Sequence, residues 1–406
     1  MTTQAPAVEP PAREGVFGVL QDRWDSIKSG DVGSWPVVLG LIAIVAFFTQ
    51  KNSNFFTAVN FDNLIVQMAG TATIAIVVVF VLLLGEIDLS IGYVSGVAGV
   101  VAAELQLPGS GHELPGLVAI LLALLTGCVI GLIQGSFVAY VGVPSFVVTL
   151  AGLIALQGVI IRSLPQGVII IQNNIVNDVA NYYFSDTAGW IFAVVASAGY
   201  AVAVLSGVFA RWRAKIPVKN LWLVIVKILA LTAVAFLVIA VANNDRGFPF
   251  AGLLVVVLLV FWTYVAKRTT FGRHVYAVGG NAEAARRAGI RVPLIRLYVF
   301  MISGTMAALG GIIFAARLRS VDLNAGGGTI LLDAIAAAVI GGTSLFGGRG
   351  EVRSALLGAA IIATIANGID LVGYSSSTKY IVTGIILLAA VTLDTLSRRR
   401  LEASGR

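Results

Sequence analysis

Cysteine, histidine and charged residues are all scarce in this sequence of 406 residues. One cysteine, Cys128, and two histidines supply neither an intramolecular disulfide nor the ligands of a Cys/His metal cage. Only 12% of the residues are charged, against about 25% in an ordinary soluble domain. This scarcity of charge excludes a soluble globular enzyme.

Apolar residues and glycine are abundant instead, at 58% of the chain and 45 positions. A membrane-spanning helix needs about 20 mostly apolar residues, because ~30 Å of hydrocarbon is covered at ~1.5 Å per residue. The sequence predicts an all-α, polytopic membrane helical bundle of about 10–12 spans, some of them broken or re-entrant. About twelve candidate spans lie near residues 35–50, 64–84, 87–106, 116–140, 145–161, 189–210, 221–241, 249–266, 294–316, 329–346, 352–372 and 380–396.

The positions of lysine and arginine predict the orientation of these spans. With a cytoplasmic N-terminus, 20 of the 27 basic residues fall on the cytoplasmic side, as in most membrane proteins. We therefore expect a cytoplasmic N-terminal tail (1–34), a transmembrane domain (35–396) with a cytoplasmic loop (267–293), and a cytoplasmic C-terminal tail (397–406). The net charge of +7 is explained by this topology and does not indicate a nucleic-acid partner.

Acidic residues interrupt the third candidate span. Glu86 and Asp88 follow a long apolar run, and a carboxylate at membrane depth costs ~2.5–3.5 kcal/mol on insertion scales. Asp88 and Ser90 are placed to cap a short helix that lines a translocation pathway. Two alternatives stay open: Asp88 holds a re-entrant turn without touching substrate, or the carboxylates couple transport to protons or sodium.

A similar pattern recurs in the second half of the chain. Gln134-Gly135 and Asn367-Gly368 are each followed by an apolar stretch that ends in glycine, and Asp333 precedes the second pair as Asp88 precedes the first. The two copies enter the membrane from opposite sides, which predicts an inverted repeat with pathway residues at Glu86, Asp88, Ser90, Asp333 and Asn367. Composition alone is the competing explanation for the similarity.

The cytoplasmic loop predicts one short helix, Ala282 to Ala288. Asn281 is a favourable N-cap, and Gly289 is placed to end the helix. Charges suit the helix dipole, with Glu283 in the first turn and Arg286 and Arg287 in the last. Ala282, Ala284 and Ala285 form its small-residue face. We expect this helix to stand alone in the loop and to dock into a partner protein, with a solvated connector as the alternative.

Three segments in this order resemble the membrane permeases of bacterial ABC importers for monosaccharides. They are Gly85 to Gly92, Gly272 to Ala285, and Ala337 to Gly350. The resemblance covers most of residues 60–396 and is strongest to the xylose branch, because a helical pair near 200–247 adds to the usual ten spans. Glu86 departs from the pattern, since a second glycine is usual there.

The resemblance implies the fold of the vitamin B12-type permeases, a homodimer, and a location in the bacterial inner membrane among its lipids. It also implies that residues 282–288 contact a cytoplasmic ATPase and that an extracytoplasmic sugar-binding protein delivers the sugar. No GxxxxGK[ST] loop occurs, so the chain is expected to be a transport subunit without a cofactor and without ATPase activity of its own. The alternatives are an ion-coupled sugar symporter that uses Glu86, Asp88 and Asp333, and a structural membrane protein.

Two further expectations concern sugar and its delivery. The outer segments 162–188 and 317–329 are expected to meet the binding protein. Aromatic side chains that could stack on a sugar are Tyr93, Phe146, Tyr182, Tyr183 and Trp190.

Overall fold

The structure is a computed structural model that describes residues 35–109, 111, 113–216 and 221–403. The predicted N-terminal tail, residues 1–34, lies outside the described residues. In chain order the helices are α1 (Trp35–Lys51), α2 (Ala58–Leu83), α3 (Ile91–Glu104), α4 (Gly116–Ser136), α5 (Ser145–Ser163), α6 (Asn174–Asn181), α7 (Asp186–Arg213), α8 (Leu221–Ala242), α9 (Phe250–Arg268), α10 (Thr270–Gly280), α11 (Ala282–Arg287), α12 (Val292–Leu318), α13 (Ile330–Ile340), α14 (Val352–Val372) and α15 (Ser376–Ala403). A π-helical turn, Phe137–Val141, continues α4.

Eight helices of the described chain are long and apolar enough to cross a membrane: α2, α4 with its π-helical turn, α5, α7, α8, α9, α12 and α14. Four shorter apolar stretches lie in α1, α3, α13 and α15. The prediction of a polytopic helical membrane protein is confirmed. Helices α3 and α13, with 14 and 11 residues, occupy the two candidate spans interrupted by acids. At ~1.5 Å per residue both are too short to cross ~30 Å of hydrocarbon.

The chain divides into two compact units. The smaller one includes residues 187–240, which hold most of α7 and α8. The rings of Trp190 and Phe236 join these two helices, with centroids 5.8 Å apart. This unit corresponds to the additional helical pair that the sequence indicates.

The larger unit comprises Ser34–Asp186 and Val241–Thr395. Helix α2 lies at its centre, because every residue from 72 to 84 is buried and all faces of the helix are therefore covered. Helix α12 packs on α3 and α4, whereas α2 packs on α13 and α14. Each half of the larger unit therefore contributes one long helix that supports a short helix of the other half.

Backbone contact between α4 and α12 explains part of the glycine content. A Cβ atom on Gly127 would lie 2.2 Å from the carbonyl oxygen of Gly304, and one on Gly304 would lie 2.0 Å from that of Gly127. Only glycine permits so close an approach. Membrane helices associate through such small-residue contacts, because lipid provides no hydrophobic force between helices.

The only strands among the described residues are β1 (Val168–Ile170) and β2 (Ser320–Asp322). They pair antiparallel, with Val168 opposite Asp322 and Ile170 opposite Ser320. The pair joins the two outer segments that the sequence predicts to meet a binding protein.

Candidate functional site

The short loop helix forms as the sequence predicts. The Asn281 side chain accepts a hydrogen bond from Ala284 N at 2.9 Å, which caps the first turn of α11. Glu283 forms ion pairs with Arg286 at 2.7 Å and with Arg287 at 3.2 Å. Helix α11 ends at Arg287, one residue before the predicted end, and Gly289 follows with φ +86°. Because caps and ion pairs one turn apart are local, the sequence alone could predict them.

Helix α11 does not stand alone, which corrects the expectation of an isolated helix. Helix α10 precedes it directly and is capped by Thr269, whose hydroxyl accepts from Gly272 N at 3.2 Å. Val275 and Val278 are buried on the inner face of α10. Their spacing from Phe271, four and seven residues, is the amphipathic signal by which α10 could have been predicted.

Contacts at the end of α2 connect α10 to the membrane helices. The Leu83 carbonyl accepts a hydrogen bond from Gly348 N at 2.9 Å, and a Cβ atom on Gly279 would lie 1.6 Å from that carbonyl oxygen. The Tyr276 hydroxyl donates to the Gly350 carbonyl at 2.7 Å. Helix α10 is therefore in direct contact with the end of α2 and with the loop that follows α13.

An ion-pair cluster tightens the same junction. Lys267 contacts Glu351 at 2.7 Å, and Arg353 contacts the other oxygen of the same carboxylate. Partial burial alone raises the pKa of Glu351, but hydrogen bonds from Lys267 and Arg353 outweigh it and lower the pKa below its ordinary value. The carboxylate therefore stays ionised at neutral pH and holds the end of α9 to the start of α14.

A groove of about 490 Å³ opens beside α11. Its lining includes the polar side chains of Arg286, Arg291 and Tyr140 and the apolar side chains of Ile290 and Pro293. A mixture of arginine, aromatic and apolar side chains is typical of the anchor regions of protein interfaces.

Asp88 lies in a saturated hydrogen-bond cluster inside the larger unit. Its Oδ1 accepts from Ser90 N at 3.0 Å and from Ser90 Oγ at 2.7 Å, while Oδ2 accepts from Ser303 Oγ at 2.9 Å. Ser90 Oγ also lies 3.0 Å from Gln134 Oε1. Ser303 lies roughly 17 Å along α12, near the middle of that helix. Asp88 therefore attaches the start of α3 to the middle of α12.

Ser90 does not cap α3, which corrects one expectation. The residue occupies the N-cap position, but its side chain makes no capping hydrogen bond to the helix amides. Its hydroxyl is instead directed at Asp88 and Gln134. The backbone of Ser90 explains the difference, because it is helical (φ −85°, ψ −12°), whereas a capping residue normally lies in the β region.

The other predicted pathway residues lie in separate surroundings. Glu86 forms an ion pair with Arg296 at 3.0 Å, close to the start of α12, although the Nε–H is not aligned for a hydrogen bond. Asp333 accepts from Thr329 Oγ1 at 2.7 Å through Oδ2, while its buried Oδ1 has no partner among the described residues. Asn367 forms two reciprocal amide hydrogen bonds with Asn60, both 2.9 Å long. The structure brings only Asp88 and Ser90 together.

Asn60 and Asn367 belong to a polar cavity of about 420 Å³ in the larger unit. Gln67 and Arg317 also line it, together with Tyr183 from the segment after α6. These residues lie at the start of α2 and at the ends of α12 and α14, so the cavity is at the end of the bundle opposite α11. The sequence did not predict this cavity, because its residues are far apart in the chain.

Comparison with known proteins identifies the class of this bundle. A family described as "Branched-chain amino acid transport system / permease component" matches residues 60–391. The xylose transport system permease protein XylH of Escherichia coli (strain K12) is 37% identical over 385 residues, covering 93% of this chain and 95% of that protein. No solved structure matches the chain.

Two more relatives show the same relationship. XylH of Haemophilus influenzae is 36% identical over 92% of this chain and 99% of that protein. The ribose import permease protein RbsC of E. coli (strain K12) is 32% identical over 88% of this chain and 92% of that protein. The resemblance predicted from the three motifs is confirmed, and the chain belongs to this family of transport-system permease components.

Proposed function

We propose that this chain is the membrane-spanning subunit of an ATP-driven importer that translocates a monosaccharide, with xylose as the first candidate. Its relatives carry the names of xylose and ribose permeases. A cytoplasmic ATPase supplies the energy, and an extracytoplasmic binding protein delivers the sugar. The chain itself is a permease and not an enzyme.

Helix α11 is the observation that carries this proposal. A six-residue helix is unstable alone in water, so its cap, its ion pairs and its attachment to α10 and α12 are what maintain it. Glu283, Arg286 and Arg287 expose half or more of their side-chain surface. A rigid, charged and exposed helix beside a groove is suited to docking on a partner protein.

The contacts of α10 provide the route from the ATPase to the membrane. Closure of an ATPase dimer moves α11, and α10 passes that movement to Leu83 and Gly348 at the end of α2. Because α2 supports both α13 and α14, the movement reaches the second short helix. The pathway then alternates between its outward and inward openings.

The remaining parts of the assembly follow the same scheme. The end of the bundle that carries α11 lies on the cytoplasmic side, and so do both chain termini, as the distribution of basic residues indicates. The exposed apolar side chains of the spanning helices contact lipid and a second copy of the chain in a homodimer. The strand pair β1–β2 offers exposed Val168 and Ile170 to the binding protein.

An inverted repeat of the vitamin B12-permease type accounts for the paired architecture of the larger unit. Helices α2 to α5 form one copy, and α12 to α15 form the other. Support comes from the two short acidic helices, each packed on the long helix of the opposite half. Glu86, Asp88 and Asp333 lie apart, which disfavours an ion-coupled symporter built on all three.

Reconstitution tests the proposed function. Vesicles that contain the permease alone are expected to accumulate no D-xylose under a proton or sodium gradient. Vesicles that also contain the ATPase, the binding protein and ATP are expected to accumulate it. Accumulation by the permease alone under an ion gradient would establish the symporter instead.

A further inference from the structure

We propose that the polar cavity at the end of the bundle opposite α11 is a sugar-binding site that belongs to the membrane subunit itself. The inference rests on the proposed function and adds to it, because delivery by a binding protein requires no sugar site in the membrane. The volume of about 420 Å³ is within the range of about 300–1,000 Å³ that small-molecule pockets occupy.

Two cavity-lining side chains have hydrogen-bonding groups that no described residue satisfies. Gln67 is half-buried, and its side chain forms no hydrogen bond with the described residues; its Oε1 is enclosed, so its amide N–H groups are the ones that a ligand can reach. The half-buried Arg317 forms no ion pair within the described part of the chain, so its N–H groups remain available to a ligand. An amide and a guanidinium that lack partners in one cavity are complemented by hydroxyl groups, whose oxygens accept from their N–H groups.

The rest of the cavity is held in place by its own contacts. Asn60 and Asn367 form the reciprocal amide pair, and Asn60 also donates to the Phe55 carbonyl at 2.8 Å. Arg246 donates to Asn63 Oδ1 at 2.7 Å, and its guanidinium lies 4.5 Å from the centroid of the Tyr183 ring. These groups are engaged in contacts with one another and define the shape of the cavity. Gln67 and Arg317 are therefore the side chains that remain to bind the ligand.

The charges around the cavity favour an uncharged ligand. Arg246 pairs with Asp245 at 2.9 Å, and Asp370 lines the cavity with Arg317 and carries the opposite charge. Each guanidinium is therefore balanced by a nearby carboxylate, and the cavity offers no net attraction to a phosphate or a carboxylate. A neutral polyhydroxylated molecule such as a pentose suits both the hydrogen-bonding groups and the charge balance.

Direct binding of D-xylose to the full-length permease in lipid nanodiscs tests the site. Saturation-transfer NMR detects weak binding without the ATPase or the binding protein. We expect saturable binding to the wild-type chain and an affinity about tenfold lower for Gln67→Met, which corresponds to about 1.4 kcal/mol. The same change on α5, Gln157→Met, is the matched control, because Gln157 is exposed and does not line the cavity.

A structural role for Gln67 predicts a different pattern. Because the Gln67 side chain forms no hydrogen bond with the residues that the structure describes, Gln67→Met removes no such bond, and its unfolding temperature is expected to equal or exceed that of the wild type. If Gln67→Met does not fold, Arg317→Met provides the same binding test.

Three outcomes show whether the proposed sugar site or the proposed function has failed. Absence of saturable binding to the wild type, or unchanged affinity in the variants, overturns the site even if the complete importer takes up D-xylose. Binding that Gln67→Met weakens and Gln157→Met preserves supports the site. If that binding is observed while the complete importer transports no sugar, the proposed function fails and the site stands.

Discussion

The starts of α3 and α13 match in sequence pattern and differ in chemistry. Each short helix has an aspartate near its first turn, Asp88 or Asp333, and each packs on the long helix of the opposite half. Asp88 has hydrogen-bond donors at both carboxylate oxygens, whereas Asp333 has one at Oδ2 and none among the described residues at Oδ1. The same pattern thus produces a fixed anchor in one half and an incompletely bonded carboxylate in the other.

The difference between the two aspartates indicates which short helix, α3 or α13, can move at the lower free-energy cost. Movement of α3 relative to α12 breaks the hydrogen bond from Ser303 Oγ to the buried Asp88 carboxylate, and a hydrogen bond to a charged group contributes about 1.5–3 kcal/mol. The bond from Thr329 to Asp333 lies within the first turn of α13 and moves with the helix, so movement of α13 breaks no hydrogen bond between the Asp333 side chain and another described residue. We infer that α3 stays attached to α12 during transport and that α13 carries the larger movement.

Removal of the Asp88 carboxylate is expected to have the largest effect. Asp88→Ala leaves Ser90 N, Ser90 Oγ and Ser303 Oγ without their acceptor, so we expect about 3 kcal/mol of lost stability. Thermal unfolding of the purified permease measures the loss. The exposed Asp186→Ala serves as the control and is expected to change stability by less than ~1 kcal/mol. Equal unfolding temperatures for the two variants would show that Asp88 is not an anchor.

Removal of one donor is expected to have an intermediate effect. Ser303→Ala deletes the bond between α12 and Asp88 Oδ2 and leaves the two Ser90 bonds in place. We expect a loss of about 1–2 kcal/mol, smaller than that of Asp88→Ala because two of three bonds remain. A double-mutant cycle with Asp88→Ala measures the coupling, and additive losses would mean that α12 does not depend on this contact.

Neutralisation of Asp333 is expected to have the smallest effect. Asp333→Asn keeps an acceptor for Thr329 Oγ1 and removes a buried charge, so stability should change by less than ~1 kcal/mol or increase. ATP-driven sugar uptake is expected to persist. A large loss of stability would reveal a partner for Oδ1, and loss of uptake in a stable variant would restore an ion-coupling role for Asp333.

Local features were the ones that the sequence could predict. The Asn281 cap, the Glu283 ion pairs and the short helices at the acidic interruptions depend on residues within a few positions of each other. The prediction of the membrane spans depends on hydropathy, which is averaged over a short window of the sequence and is therefore also a local property. Helix α10 also has a local signal in the sequence. The basic residues around it, however, are equally typical of a cytoplasmic loop without a helix.

Features that depend on distant residues could not be predicted. The amide pair of Asn60 and Asn367 joins positions 307 apart in the chain, and the Asp88–Ser303 bond joins positions 215 apart. The polar cavity combines side chains from five separate segments. Sequence patterns indicated that Asp88 and Asn367 were unusual in a membrane helix, yet only the fold determines their partners.

Sugar-stimulated ATP hydrolysis by the complete importer tests the central role of α11 most directly. The charge exchange Glu283→Arg with Arg286→Glu preserves the net charge and keeps an ion pair between positions 283 and 286, while it gives up the pair with Arg287; if the segment were only a solvated connector, stimulation of the ATPase would survive this change. We predict that this variant inserts and unfolds like the wild type but loses stimulation by D-xylose at least about tenfold, the equivalent of ~1.4 kcal/mol of coupling. Unchanged stimulation would contradict the account, because the ATPase would then act on the permease without α11.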